Sequence, residues 1–289
     1  MVDSEIPTLV DPDWLETRLD DPGVQVVDST AYVGIDPETE EFQLDTGYYD
    51  WAASHIPGSV FADIFEDFAT TTDPAYPLEL PAAEAFAAAV GKLGIDNRTH
   101  VVLYDTAGEN HSVGPARLWW LFRVFGHDRV SVLDGGWTRW TATDRPTTAA
   151  QPEPEPASFT PEYRPELVAE RTEVREALDD EDTAVVNALR PADHTQQRIP
   201  GSVNVPAIGE ESVVDPETGQ YLPPSRLRER FADVGALAAD TVVTYCLAGV
   251  AASSTALALH QVGVTDAAVY DGSLSEWAND PELPVESSG

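Results

Sequence analysis

The sequence predicts an α/β protein made of two tandem domains, each a largely parallel sheet flanked by helices. Three observations predict it. The pentapeptide IPGSV at 56–60 recurs identically at 199–203. Around these anchors the two halves correspond in order: VVLYD (101–105) matches VVTYC (242–246), and LDGGWTRW (133–140) matches YDGSLSEW (270–277). Within each half, short β-branched apolar runs alternate with amphipathic stretches, the pattern of parallel strands joined by crossover helices.

In the first copy VQVVD (24–28), SVFAD (59–63), VVLYD and VSVLD (130–134) read as strands, and 82–94 and 115–126 as helices. In the second, AVVN (184–187), SVNV (202–205), VVTYC and AAVY (267–270) read as strands, and 223–235 and 251–263 as helices. Gly94, Gly126, Gly235 and Gly263 close four of these helices, where a left-handed cap favours a residue without Cβ. Five prolines between Pro152 and Pro165, without apolar periodicity, mark an extended linker. The expected division is a first domain at 1–145, a linker at 146–159 and a second domain at 160–289.

Composition narrows the function classes. Sixteen Lys and Arg against 51 Asp and Glu give a net charge of −35. Such a surface repels nucleic acid and anionic membranes, so neither is an expected partner. The acids are spread along patterned, core-forming segments rather than gathered in a tail, which suits a folded protein adapted to high salt. No run of about 18 apolar residues exists, so no membrane span is expected. The acidic start, MVDSEIPTLVDPDW, lacks the basic and apolar parts of a secretory signal, and the expected location is the cytoplasm. A single cysteine excludes an internal disulfide and a cysteine-rich metal site.

That cysteine, Cys246, ends the apolar strand VVTY, at the carboxyl end where open α/β sheets place ligands. Leu247, Ala248, Gly249, Val250 and Ala251 follow, and a helix begins near Ala252. A short loop with one glycine at a helix N-terminus can aim several N–H groups into one concavity. That field favours a thiolate and would hold the anionic sulfur of a persulfide or the oxygens of a donor. The bland reading is a small buried hydrophobe in a strand-to-helix turn.

Residues 9–280 resemble a tandem-domain rhodanese, the family of thiosulfate and mercaptopyruvate sulfurtransferases. The matching pieces are HIPGSVFAD (55–63), ARLWW (116–120) after VVLYD, FGHDRVSVLDGGWTRW (125–140), RIPGSVNVP (198–206), and YCLAGVAAS with YDGSLSEW. The resemblance implies an inactive first domain and a catalytic second one. The position matching Cys246 in the first copy is Asp105, which cannot form a persulfide. The implied cycle takes a sulfane sulfur from a small donor onto Cys246 and passes it to a thiophilic acceptor, cyanide or a thiol. It implies no metal and no organic cofactor. A monomer is expected, because two packed domains in one chain can replace a dimer interface.

The loop departs from both donor patterns. Thiosulfate-type loops carry basic side chains after the Cys, where this chain has Leu247 and Ala248. Mercaptopyruvate-type loops place a Ser two residues after it, where this chain again has Ala248, although the GVAA run at 249–252 looks more like that type. The His that the family places before a later LP pair is replaced by Leu78. These losses favour thiosulfate, with mercaptopyruvate by the same route as the alternative. Arg190 and Arg198 stand where the family keeps substrate-anion arginines, and a guanidinium fork suits a sulfonate or carboxylate. Surface ion pairs would explain the same arginines. Asp63 matches an auxiliary Asp of mercaptopyruvate-type members, with a turn cap as the plainer role. His194 is expected as an exposed loop histidine, and Trp119, Trp120, Trp137 and Trp277 as packing residues.

Two other classes compete. A rhodanese-like phosphatase needs an arginine six residues after the Cys, and Ala252 stands there. A non-catalytic sulfur-binding or interaction module would suit the uncharged loop.

Overall fold

A computed structural model describes residues 6–35, 42–70, 72, 78–106 and 113–287. Residues 1–5, part of the acidic N-terminal stretch, lie outside the described residues. The chain divides into two compact units, the first 1–69, 81–163 and 218–220, the second 70–80, 164–217 and 221–289. The repeat-based cut thus differs from the compact units in three short segments.

In the first unit the elements run β1 (Leu9–Val10), α1 (Pro12–Glu16), β2 (Val24–Asp28), β3 (Ala31–Ile35), β4 (Phe42–Thr46), α2 (Tyr48–Ala53), β5 (Val60–Phe61), α3 (Ala83–Lys92), β6 (His100–Tyr104), α4 (Val113–Val124), β7 (Val130–Leu133) and α5 (Gly136–Thr141). Five strands form a wholly parallel sheet in the order β1-β7-β6-β2-β5, while β3 and β4 pair as an antiparallel hairpin. The helix expected at 115–126 begins earlier, at Val113, because Pro115 is tolerated within a first turn, whose N–H groups have no helical partner. Residues 146–163 run without regular secondary structure along this unit. Ala157 N donates to Gly91 O at 2.9 Å and Glu162 N to Phe125 O at 3.0 Å. Phe159 from this stretch packs edge-on to Phe86 and Phe122.

The second unit repeats the plan with a 3-10 turn (Pro165–Leu167), β8 (Val168–Ala169), α6 (Arg171–Ala177), β9 (Thr183–Asn187), α7 (Pro191–Gln196), β10 (Val203–Asn204), α8 (Pro224–Asp233), β11 (Thr241–Tyr245), α9 (Val250–Gln261), β12 (Ala268–Tyr270) and α10 (Ser273–Trp277). Its parallel sheet has the order β10-β9-β11-β12-β8, so every strand takes the place of its repeat partner. The four glycines expected as caps all adopt positive φ, from +76° at Gly94 to +100° at Gly263. The core behind the sheet gathers Val174, Val185, Ile199, Val243, Tyr245, Leu274 and Trp277. Trp119, Trp120 and Trp277 are buried, as expected of packing residues, whereas Trp137 is only partly so.

Candidate active site

The alternation of β11 sends Tyr245 into the core and leaves the next residue, Cys246, at the strand's carboxyl end. Tyr245 anchors the foot of the loop. Its hydroxyl accepts from Ile199 N at 3.0 Å and from Asn187 Nδ2 at 2.8 Å. It can donate to Ser202 Oγ at 2.7 Å, since the Ser202 hydroxyl is directed to Ile199 O. Burial raises the Tyr245 pKa, against the pull of these partners. The repeated IPGSV is therefore a clasp on this tyrosine, and in the first unit Ile56 and Ser59 hold Tyr104 in the same way.

Gly249 caps α9 at φ +73°, a left-handed conformation that a glycine adopts without strain. Small residues, Ala252, Ser253, Ser254 and Ala256, bury the first turns of α9 against the unit. Ser253 Oγ donates to Gly249 O at 3.0 Å, and Thr244 Oγ1 to Ala252 O at 3.1 Å, tying the loop to its helix and strand. Cys246, Ala248, Gly249 and Val250 are buried, and Leu247 and Ala251 are partly exposed. The thiol residue is 2% exposed, more enclosed than a freely accessible reactive cysteine.

The N–H groups do not all converge on sulfur. Those of Cys246 and Gly249 donate to Ser273 Oγ, at 3.0 and 3.2 Å. Two carbonyls of the loop, of Cys246 and Leu247, accept from Leu274 N and Ser275 N at 3.2 and 3.0 Å, so the start of α10 grips the loop. The Gly249 N–H, expected to face a donor, is taken up by the buried Ser273 hydroxyl. Ser273 was missed by sequence reasoning. The signal was present in the repeat, where DGS stands against DGG.

Arg190 precedes α7 and follows β9 by three residues. Because β9 and β11 are parallel neighbours with Asn187 opposite Tyr245, Arg190 and Cys246 leave the same end of the sheet. Arg190 makes no ion pair among the described residues. Arg198 differs: its guanidinium binds Glu286 at 2.7 Å, and the two residues exchange backbone hydrogen bonds at 2.9 Å. It therefore takes the ion-pair role weighed against anion binding. His194 lies in α7 rather than in an exposed loop, half-buried with its Nδ1 lacking a hydrogen-bond partner. Burial and the neighbouring Arg198 lower its pKa. In the first unit, Asp63 Oδ1 accepts from Phe65 N at 3.0 Å and Glu66 N at 3.1 Å, the geometry of a turn cap.

Fold and loop together define a duplicated α/β protein with one thiol, at a strand-to-helix turn of its second copy. The family model of the rhodanese-like domain matches residues 11–143 and 170–280. The thiosulfate/3-mercaptopyruvate sulfurtransferase 1, mitochondrial, of Arabidopsis thaliana is 32% identical over 96% of this chain and 78% of its own length. The thiosulfate sulfurtransferase of Cricetulus griseus is 35% identical over 93% of this chain and 91% of its own. A crystal structure of a 3-mercaptopyruvate sulfotransferase from Escherichia coli superposes with a TM-score of 0.79 at 30% identity, covering 92% of this chain and 98% of that one. This chain belongs to the rhodanese family. No helix among the described residues is long and apolar enough to cross a membrane.

Proposed function

We propose that the protein is a sulfurtransferase that moves a sulfane sulfur from thiosulfate to a thiophilic acceptor through a Cys246 persulfide. The observation that carries this reading is the placement of Cys246 between β11 and α9, where the first copy has Asp105. The Cys246 thiolate attacks the sulfane sulfur of thiosulfate. The sulfur–sulfur bond breaks, sulfite leaves with the bonding pair, and Cys246 holds the persulfide. Cyanide or a thiolate acceptor then takes the outer sulfur, and the electron pair of the broken bond returns to Cys246. Arg190, without a carboxylate partner among the described residues and at the same sheet end, supplies the charge that the loop's own side chains lack.

Mercaptopyruvate is the alternative donor, supported by the GVAA run and by relatives of both names. It would give up its sulfur to the same thiolate, with the bonding pair passing to carbon and a proton completing pyruvate. The deciding experiment compares both donors with cyanide as acceptor in molar salt, for the parent and Cys246→Ser. Transfer from thiosulfate that disappears in the variant is expected. Unchanged transfer by the variant would eliminate the persulfide route, and absence of transfer by the folded parent would favour a non-catalytic sulfur-binding module.

A further inference from the structure

We propose that Ser273 is the positioning residue of the Cys246 centre, using its hydroxyl to collect two loop N–H groups and present a polarised O–H to the sulfur. The inference rests on the persulfide reading given above.

The geometry is specific. Ser273 is fully buried, and its Oγ accepts from Cys246 N and Gly249 N at 3.0 and 3.2 Å. A hydroxyl that accepts two N–H groups has one proton left to give. That proton is within reach of Tyr270 O at 2.8 Å and of Cys246 Sγ at 4.0 Å. Beside a neutral thiol, a weak acceptor, the proton stays with the carbonyl. An anionic sulfur accepts far more strongly, and the two N–H groups behind the oxygen strengthen the O–H as a donor. The loop's electrostatic field thus reaches the sulfur through a side chain as well as through the backbone.

Strain and repetition point the same way. Ser273 sits at φ +51°, a conformation that side chains rarely adopt. The matching residue in the first copy is Gly136, at φ +48°, where a Cβ would lie 2.7 Å from Asp105 O. The backbone shape is shared by both copies, but glycine occupies it in the copy without the thiol. In the copy with Cys246 a serine stands there despite the strain, which leaves its hydroxyl as the reason for its presence.

The test uses the full-length protein in molar salt with two variants, Ser273→Ala and Ser273→Gly. Both remove the hydroxyl, but glycine relieves the backbone strain and alanine keeps it. Because Cys246 is the only cysteine, alkylation by iodoacetamide reports on it alone. The pH dependence of alkylation is measured beside the ultraviolet absorbance of the thiolate, which needs no reagent to enter. In both variants the midpoint of the profile should move to higher pH, with alkylation at neutral pH about tenfold slower, the scale of one charge-assisted hydrogen bond. A profile like the parent's in either variant overturns the proposal. A glycine variant like the parent beside an impaired alanine variant would assign the effect to strain instead. Sulfur transfer by the parent is read separately: its absence would sink the persulfide reading, while the thiolate profiles still decide the role of Ser273.

Discussion

The Asn187 amide donates to the Tyr245 hydroxyl at 2.8 Å, one residue before the cysteine. In the first copy the matching strand end is Asp28, and the matching tyrosine is Tyr104. Asp28 Oδ1 accepts from Thr30 N and Thr30 Oγ1, at 2.9 and 2.6 Å, while its Oδ2 is buried. One repeat closes its polar network with an amide, and the other leaves a carboxyl in a buried place.

Replacing Asp28 by Asn should therefore stabilise the first unit at neutral pH. Burial pushes the Asp28 pKa up to about 6, against the pull of the Thr30 hydroxyl and N–H and of the Tyr104 hydroxyl. A folded pKa above the unfolded value means that this group's contribution is fully present below about 4. It is lost as pH rises through about 6, where the fold must carry a buried carboxylate. Thermal unfolding of parent and Asp28→Asn should show a variant advantage of roughly 1–3 kcal/mol at pH 8 that shrinks towards pH 4. An advantage independent of pH would mean that the carboxyl does not titrate in this range.

The repeat made much of this legible in advance. Strand positions, the capping glycines and the Asp105 and Cys246 contrast all follow from aligning the chain with itself. What escaped has physical reasons. The edge strands β1 and β8 are two residues long, too short for any alternation to register. The strands β3 and β4 flank DPETEE, a polar turn signal that hydrophobic runs alone do not reveal. At the site, the strand-to-helix setting of Cys246 could be read from its neighbours in sequence, but its hydrogen-bond partner Ser273 lies 27 residues away. The partner that holds Arg198, Glu286, lies near the other end of the unit's sequence, beyond the reach of local pattern.

Removing the Tyr245 hydroxyl should loosen the base of the loop that carries Cys246. In Tyr245→Phe the buried Ile199 N–H and Asn187 amide lose their acceptor, and the Ser202 hydroxyl loses a donor. A loss of roughly 2–4 kcal/mol is expected from denaturant unfolding, since each buried group left unpaired costs on the order of 1–3 kcal/mol. A loss below about 0.5 kcal/mol would mean that water or a local shift replaces the hydroxyl.

The two arginines should separate cleanly. Arg190→Ala is expected to lower kcat/KM for an anionic donor by about tenfold to a hundredfold while leaving the melting temperature unchanged, as loss of one charge-assisted contact predicts. Arg198→Ala should instead lower the melting temperature, because it removes a partly buried partner of Glu286 and frees the segment that carries it. Reversal of this pattern would move the anion site from Arg190 to Arg198.

The charge itself predicts the response to salt. With 51 acidic and 16 basic residues, most carboxylates have no cation to face, and like charges surround one another on the folded surface. At 0.1 M the screening length is about 10 Å, and at 1 M about 3 Å, so molar salt silences repulsion between all but adjacent charges. Folding concentrates these charges, so screening favours the folded state more than the extended chain. The melting temperature should rise markedly from low to molar potassium chloride, a salt chosen over sulfate because sulfate strengthens apolar burial by itself. Lysine substitutions at exposed acids remote from ion pairs should raise stability in low salt and flatten this dependence. A melting temperature that stays constant from low to molar potassium chloride would show that the acidic surface carries little repulsive energy, and the reading of this chain as adapted to high salt would fall.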